Sequence, residues 1–238
     1  MSPASPLLTV RDATIRFGGV AALDGLSFDA ARGEILGIIG PNGSGKTSLL
    51  NSLSGLYRPQ RGEILFDGYS LSGLPPHRIA RLGVARTFQH AALFESMTIL
   101  DNVAVGAHGR DLDDHIHSLL RRLRLADAAQ RQVADMAPNM RKRAELARAL
   151  ASRPRLLLLD EPAAGLDAAD LPELADLLRD LRDKEGVTIL IVEHRMGFVL
   201  PLADRVMAMD FGRAISQGTP GAVRNDPAVV RAYLGRAA

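Results

Sequence analysis

Two kinds of hydrophobic pattern predict strands in this chain. Residues 14–17 and 26–30 alternate apolar and polar positions, which is typical of half-exposed strands. Residues 35–39, 156–159 and 188–192 are instead continuous apolar runs between turn residues. Alternation predicts an antiparallel flank with one face in water, whereas continuous runs predict parallel strands buried on both faces.

Apolar residues at helical spacing alternate with these strands and predict an α/β fold. One such set is Leu171, Leu174, Leu178 and Leu181, and another is Ile116, Leu119, Leu120 and Leu123. The strand signal disappears from residue 89 onward, so we expect residues 89–143 to form an inserted helical subdomain. Residues 1–88 and 144–218 then form the α/β core, with a hairpin at Asp210-Phe211-Gly212, and residues 219–238 form closing helices.

Composition narrows the class of protein. A chain of 238 residues, 47% hydrophobic, is long enough for a single domain with a substantial core. The net charge of +2 is too balanced to predict nucleic-acid binding, and the absence of cysteine fits a reducing compartment. No apolar run reaches the roughly 20 residues that span a bilayer, so we expect a cytoplasmic protein unless a partner holds it at a membrane.

The segment GPNGSGKT, residues 40–47, carries the strongest chemical signal. It follows a predicted strand and precedes a leucine-rich segment that begins at Ser48, which is the setting of a phosphate-binding loop. Main-chain amides in such a loop cradle phosphate oxygens, Lys46 reaches the terminal phosphates, and the Thr47 hydroxyl can ligate magnesium. The alternative is an ordinary glycine-rich turn. The predicted ATP-binding residues of this region are Gly40, Pro41, Asn42, Gly43, Ser44, Gly45, Lys46, Thr47 and Ser48.

Asp160 and Glu161 follow four consecutive leucines at the carboxyl end of a predicted buried strand. Ligand-binding residues of open α/β sheets collect at this edge, so both carboxylates are expected beside the phosphates. Asp160 would hold magnesium, and Glu161 would orient and polarise the attacking water. Taken alone, Asp-Glu-Pro also fits an acidic turn that caps a helix.

His194 and Gln89 complete the predicted catalytic set. His194 follows the strand at residues 188–192 and could contact the terminal phosphate, although a lone histidine at a strand end is usually structural. Gln89, in RTFQ after a strand near residue 84, could bring its carbonyl to magnesium and water, or could be a polar loop residue. The predicted catalytic residues are Glu161, His194, Lys46 and Gln89, and the predicted metal ligands are Thr47, Gln89 and Asp160.

In this order, the phosphate loop, LLLLDEP and VEH resemble the ABC ATPase family over essentially the whole chain. The resemblance implies a P-loop NTPase (RecA-like) core with a parallel sheet, an N-terminal antiparallel β flank and an inserted helical subdomain. It also implies ATP and Mg²⁺ as cofactors, Phe17 stacked on adenine with Val20 on the same edge, and Gln89 coupled to a membrane partner. Residues 165–167, including Asp167, would face a second ATPase domain. Phe17 could instead be a buried strand aromatic.

Within the family, the segments RTFQHAALFESMTILDNVAVG, LDEPAAGLD and VEHRMGFVLPLADRV, with FGRAISQGTPGAVRNDPAVVRAYLG, look like branched-chain amino acid importer ATPases. This implies transmembrane permease subunits, a second ATPase subunit and, indirectly, a solute-binding protein as partners. No nucleic acid is implied, and the chain would lie on the inner face of the cell membrane. Lipid or lipopolysaccharide export ATPases share the C-terminal pattern, but they look less similar around Gln89.

One segment departs from the family pattern. The signature Leu-Ser-Gly-Gly-Gln falls on residues 136–140, which read Met-Ala-Pro-Asn-Met. Ala137 has no hydroxyl and Pro138 has no amide hydrogen, so this half of a shared site should bind phosphate poorly. Ala137, Pro138, Asn139 and Asp167 are the predicted interface residues, and a heterodimer with an intact second subunit is favoured over a homodimer. Residues 141–143, Arg-Lys-Arg, could attract phosphate or form a solvated helical turn.

Two further classes compete with a transporter motor. A nucleotide-sensing ABC domain with weak hydrolysis fits the altered segment, but Glu161 and His194 are retained. Soluble ABC proteins of DNA repair or translation usually carry long coiled-coil inserts or two cassettes in one chain, and neither feature is present.

Overall fold

Alternating strands and helices dominate the computed structural model, which describes residues 5–88, 92–108 and 111–234. The strands of this part of the chain are β1 (Leu8–Phe17), β2 (Val20–Ala30), β3 (Ile35–Ile39), β4 (Arg61–Phe66), β5 (Tyr69–Ser70), β6 (Val84–Arg86), β7 (Leu156–Asp160), β8 (Thr188–Val192), β9 (Arg205–Asp210) and β10 (Arg213–Gly218). The α-helices are α1 (Lys46–Leu53), α2 (Pro76–Arg81), α3 (Ile99–Gly106), α4 (Leu112–Arg122), α5 (Pro138–Ala151), α6 (Leu171–Glu185), α7 (Met196–Val199), α8 (Pro220–Arg224) and α9 (Pro227–Leu234).

The larger sheet has the strand order β10-β9-β3-β8-β7-β6. All its pairings are parallel except that of β10 with β9, so the continuous apolar runs are confirmed as buried parallel strands. The hairpin between β9 and β10 is also confirmed. Phe211 (φ 44°) and Gly212 (φ 77°) form its two-residue turn, and positive φ at both positions matches the twist of the strands.

The smaller sheet is antiparallel, in the order β2-β1-β4-β5. It confirms the predicted flank, but the pattern of residues did not predict β4 and β5. Side chains alternate across β3: Leu36 and Ile38 pack with this flank and with the buried leucines of α1, whereas Ile35 and Ile39 pack against the helical layer. Helix α1, which begins at the phosphate loop, is therefore anchored between the two sheets.

Helices α3, α4 and α5 pack together as the expected helical part. Thr98 begins α3 with a reciprocal pair of hydrogen bonds to Asp101, and the apolar face predicted for α4 is buried. Between residues 92 and 137 the described chain has no strand, only an isolated bridge between Thr98 and Gln132. Helix α5 continues without a break through the expected boundary at residues 143 and 144, so the helical part and the core share one rigid helix.

The chain closes with α8 and α9 against β9 and β10, in the region where closing helices were predicted. Thr219 caps α8 by accepting a hydrogen bond from the amide of Ala222, and Val223 and Val229 are buried in the core. Residues 235–238 lie outside the described part. No helix of the described residues is long and apolar enough to cross a membrane.

Candidate nucleotide-binding and hydrolysis site

The phosphate loop connects β3 to α1. Two of its glycines lie so close to neighbouring main-chain atoms that no side chain would fit there. A Cβ on Gly40 would lie 2.3 Å from the carbonyl oxygen of Met209, and one on Gly45 would lie 2.3 Å from that of Ala22. Gly45 also has φ 105°, which L residues rarely adopt. The loop is therefore packed directly against the main chain of β2 and β9.

Lys46 lies at the centre of this loop and is 7% exposed. Its Nζ donates hydrogen bonds to the carbonyl oxygens of Gly40 (2.8 Å) and Pro41 (3.0 Å) and to Ser44 Oγ (3.3 Å). The amide of Gly212 donates to the Ser44 carbonyl, which ties the loop to the β9–β10 hairpin. A positive charge held by oxygen acceptors in a concave loop is suited to exchange those partners for phosphate oxygens.

The remaining predicted ATP-binding residues line the surface around the loop. Pro41 and Ser48 are half-buried, whereas Asn42, Gly43 and Thr47 are exposed. Phe17 and Val20 are register partners across the β1–β2 hairpin, and their exposures of 50% and 68% exclude the alternative of a buried strand aromatic. The ring of Phe17 contacts Tyr57 edge-on with centroids 5.1 Å apart, an aromatic neighbour that the sequence did not indicate.

Asp160 is the last residue of β7 and is 3% exposed. Its Oδ2 accepts a hydrogen bond from Arg86 Nη2 at 3.1 Å, and both side chains of this ion pair are buried. Burial raises the pKa of Asp160, while the hydrogen bond and charge of Arg86 lower it. Burial likewise lowers the pKa of Arg86. Sequence reasoning missed Arg86, since its partners Asn51 and Asp160 are distant in the chain.

Glu161 and His194 meet at the carboxyl ends of β7 and β8. His194 Nδ1 lies 3.5 Å from Glu161 Oε1, and the side chain of His194 is half exposed. Glu161 directly follows β7, and its amide donates a hydrogen bond to the Val192 carbonyl. Its φ of 49° is a strained backbone conformation of the kind that collects at functional sites. The structure brings these two predicted catalytic residues together, whereas Gln89 lies outside the described residues.

Two charged residues beside His194 organise the loop after Glu161. Glu193 is fully buried and its carboxylate accepts hydrogen bonds from the amides of Ala163 (2.9 Å), His194 (3.0 Å) and Arg195 (3.1 Å). Arg195 Nη1 donates to the carbonyl oxygens of Ala163 (2.9 Å) and Leu166 (3.4 Å). Sequence reasoning did not single out Glu193 or Arg195, although a glutamate directly after an apolar strand was the available signal.

The segment at residues 136–140 forms the start of α5. Met136 is buried, Ala137 and Pro138 are exposed, and Pro138 occupies the first turn. Asn139 Oδ1 accepts a hydrogen bond from the amide of Met140 at 2.8 Å. Asp167 is likewise exposed. The predicted interface residues thus include an open surface at Ala137, Pro138 and Asp167.

The basic cluster at residues 141–143 is held by neighbouring groups. Arg141 donates to the carbonyl oxygens of Met136 and Ala134 and pairs with Glu95. Lys142 pairs with Glu145 and donates to the carbonyl oxygen of Phe88, while Arg143 pairs with Asp170 and Glu173. The structure therefore supports neither of the two expectations, a phosphate-attracting patch or a solvated turn: these charges fasten α5 to its surroundings.

Oxygen donors at the site match the chemistry of magnesium. Thr47 lies in the first turn of α1 and Asp160 ends β7, and one carboxylate with a hydroxyl is a usual protein contribution to a Mg²⁺ site that also uses phosphates and water. The described residues contain no group of three or more His, Cys, Asp or Glu side chains placed to hold a metal. The donor set therefore fits a nucleotide-bound ion rather than a metal caged by protein alone.

Comparison with known families decides the identity of the fold. Residues 23–164 match the family model for the ABC transporter, which is more than half of the chain. The chain belongs to the ABC transporter ATPase family. Residues 215–238 also match the model for a branched-chain amino acid ATP-binding cassette transporter.

Relatives of this ABC ATPase include importer subunits for several solutes. The chain is 39% identical to the high-affinity branched-chain amino acid transport ATP-binding protein LivG of Escherichia coli, with 98% of this chain and 100% of LivG covered. It is also 39% identical to the methionine import ATP-binding protein MetN of Rhizobium etli, covering 98% of this chain and 67% of MetN. ATP-binding proteins named for the transport of different amino acids thus share its sequence pattern.

A solved structure with a similar fold is the ADP conformation of an ATP-binding cassette of an ABC transporter. It matches with a TM-score of 0.90 and 28% identity over 98% of this chain and 100% of the cassette. The predicted P-loop core, antiparallel flank and inserted helical part are confirmed as the ABC ATPase fold. The protein is accordingly an ATP-binding and ATP-hydrolysing subunit of an ABC transporter.

Proposed function

We propose that this ABC ATPase powers the uptake of branched-chain or related amino acids through a separate permease. The observation that carries the proposal is the family match at residues 215–238, whose described part includes most of β10 and the helices α8 and α9. The whole-length similarity to LivG supports the same solute class, since LivG is named for branched-chain amino acid transport. Selectivity itself belongs to the permease and to a solute-binding protein, which are the partners we propose.

In the proposed reaction, the loop amides and Lys46 bind the β- and γ-phosphates, and Phe17 with Val20 contacts adenine. Thr47, Asp160 and Gln89 would hold Mg²⁺, which supplies neutralisation of the charge that develops on the phosphate oxygens. Glu161 orients and polarises the attacking water. His194, 3.5 Å from Glu161, contacts the terminal phosphate from the neighbouring strand end.

Glu193 and Arg195 hold the loops that carry Glu161 and His194. Because Glu193 fixes the amides of both Ala163 and His194, the loop after Glu161 and the loop that carries His194 share one buried anchor. Groups that are already held in place need no reorganisation during the reaction, so no free energy of reorganisation adds to the barrier. We therefore propose that Glu161 and His194 act as one rigid unit.

A second, different ATPase subunit is proposed to complete the site. The exposed start of α5 has Pro138, which lacks an amide hydrogen, where a phosphate-binding signature would present one. A homodimer would contain two sites lacking these donors, whereas a heterodimer retains one good site on residues 40–47. We propose that the pair docks on permease subunits at the inner face of the cell membrane, without nucleic acid.

The first experiment measures ATP hydrolysis by the purified chain, alone and mixed with a candidate second ATPase subunit of the same transport system. Low activity that rises on mixing is the expected result. Glu161→Gln should lower the rate of the mixture by about 10²- to 10⁴-fold, because water positioning is lost. Vigorous hydrolysis by the chain alone would overturn the heterodimer.

The solute is tested by reconstituting both ATPase subunits with their permease in vesicles. ATP-driven uptake of leucine, isoleucine or valine, delivered by the matching binding protein, is the expected outcome. Methionine serves as the competing substrate, since MetN is similar to this chain. Transport of methionine without the branched amino acids would reject the proposed solute class and leave the ATPase assignment intact.

A further inference from the structure

Arg86 connects the two structural elements that carry the proposed magnesium ligands. It ends β6 and its side chain is 6% exposed. One guanidinium nitrogen, Nη1, donates to Asn51 Oδ1 (2.7 Å) and Ser54 Oγ (3.0 Å) of the α1 helix region, while Nη2 donates to Asp160 Oδ2 (3.1 Å) on β7. A single planar group thus joins α1 to the end of β7.

Asn51 relates this contact to Thr47. The two residues are four apart on α1, so they lie on the same face of the helix, one turn from each other. Holding Asn51 therefore fixes the turn that carries the Thr47 hydroxyl. Arg86 sets the spacing between this turn and the Asp160 carboxylate through one rigid fork.

Stability alone is a poor explanation for this arrangement. A buried ion pair repays its loss of hydration only when its hydrogen bonds are complete. Within the described residues, Arg86 Nε is buried without a hydrogen-bond partner, which leaves the guanidinium incompletely satisfied. An incompletely bonded charge at this edge of the sheet points to a role in the site.

We propose that Arg86 is a positioning residue for the magnesium site, which holds the Asp160 carboxylate at a fixed distance from the Thr47 turn. This inference rests on the proposed assignment of Thr47 and Asp160 as metal ligands. Residues that orient metal ligands from outside the coordination sphere typically change metal affinity by about 10- to 100-fold when they are substituted. The magnesium-dependent part of nucleotide affinity should therefore depend on Arg86.

The test is calorimetric titration of the full chain with ADP, in excess Mg²⁺ and in EDTA. The ratio of the two affinities measures what magnesium contributes, and it requires no hydrolysis. For Arg86→Gln we expect this ratio to fall about tenfold, with the affinity in EDTA unchanged. Arg86→Lys should show an intermediate ratio, because an ammonium pairs with Asp160 but cannot also bridge to Asn51 in the same plane.

Arg155→Gln is the matched control, since Arg155 forms an ion pair with Asp67 at 2.6 Å and precedes β7, at the end of the strand opposite to Asp160. It should retain the ratio of the unmodified protein. If Arg86→Gln fails to fold, Asn51→Ala removes the anchor on α1 and Ser54→Ala the anchor just after it. Both variants keep the ion pair, and each should lower the ratio by a smaller factor.

An unchanged ratio in all the Arg86, Asn51 and Ser54 variants would overturn the inference. An increased ratio would show that Arg86 competes with Mg²⁺ instead of positioning its ligand. Equal losses with and without Mg²⁺ would mean a general structural role. If the unmodified protein itself shows no magnesium dependence, the proposed metal site fails first, which is distinguishable from failure of the role of Arg86.

Discussion

The chain contains two helix starts that invite comparison, those of α1 and α5. Each leaves its first amides without partners inside the helix, which is the usual basis of anion binding at helix N-termini. Helix α1 begins after Gly45, with Lys46 buried inside a loop of small residues. Helix α5 begins with Pro138, and Arg141, Lys142 and Arg143 pair with neighbouring carboxylates.

The difference shows that positive charge near a helix start does not by itself make a phosphate site. At α1 the ammonium of Lys46 contacts oxygens of the loop itself, so phosphate can replace them without breaking the fold. At α5 the arginines hold Glu95, Asp170 and Glu173, so phosphate would have to displace structural ion pairs. Whether a charged side chain can bind a ligand therefore depends on the group with which it is already paired.

The largest expected effect is a loss of ATP affinity when the α1 site is disrupted. Lys46→Ala should weaken ATP binding about a hundredfold or more, because hydrogen bonds to charged groups contribute about 1.5–3 kcal/mol each. Affinity is measured by titration with a fluorescent ATP analogue. Lys184→Ala removes an exposed lysine that pairs with Asp180, and should leave affinity unchanged. Equal affinity in both variants would contradict the assignment of the loop.

A second prediction converts the α5 start toward a phosphate site. Replacing residues 136–140 by Leu-Ser-Gly-Gly-Gln restores a hydroxyl and the backbone amide that Pro138 lacks, and should raise hydrolysis by the chain alone about a hundredfold, the size of the loss when one oxyanion donor is removed. Met136→Leu alone is the control, since it changes the buried anchor without adding a donor. Steady-state phosphate release measures both, and no gain would show that the segment is not what limits a homodimer.

A smaller effect is expected at Glu193, the buried residue beside His194. Glu193→Gln removes one accepting oxygen of a buried carboxylate that serves amides of Ala163, His194 and Arg195, and should lower the free energy of unfolding by about 2 kcal/mol. Urea unfolding gives the value. Glu185→Gln, on the exposed end of α6, should change it little. An equal loss of unfolding free energy in the two variants would contradict the role of Glu193 in stabilising the site.

The smallest effect is expected at the α5 start itself. Arg141→Ala removes hydrogen bonds to the carbonyl oxygens of Met136 and Ala134, and should lower the free energy of unfolding by about 1 kcal/mol. ATP affinity of the isolated chain should not change, because the α1 site makes no use of Arg141. Arg121→Ala, at an exposed position of α4, is the comparison. A loss of ATP affinity in Arg141→Ala but not in Arg121→Ala would contradict the claim that only the α1 start binds ATP in the isolated chain.

Local patterns were sufficient for much of the fold and site. A phosphate loop needs its glycines, lysine and threonine within one short segment, so residues 40–47 are visible in the sequence. Buried parallel strands need continuous apolar runs, and a shared sheet edge then predicts that Glu161 and His194 meet, as they do at 3.5 Å. The short strands β4 and β5 and helices α2 and α7 carry too few residues for a periodic signal.

Tertiary structure alone decided which charged groups are already engaged. Arg86 reads as one more polar residue before Gln89 until the fold brings it to Asn51 and Asp160, which lie 35 and 74 residues away. Arg141 and Arg143 likewise find their carboxylates outside α5. Periodicity reports which face of an element is apolar, but ion pairs between elements depend on distances that only packing sets. The sequence by itself therefore determined the class of fold and the phosphate loop, and packing determined what supports them.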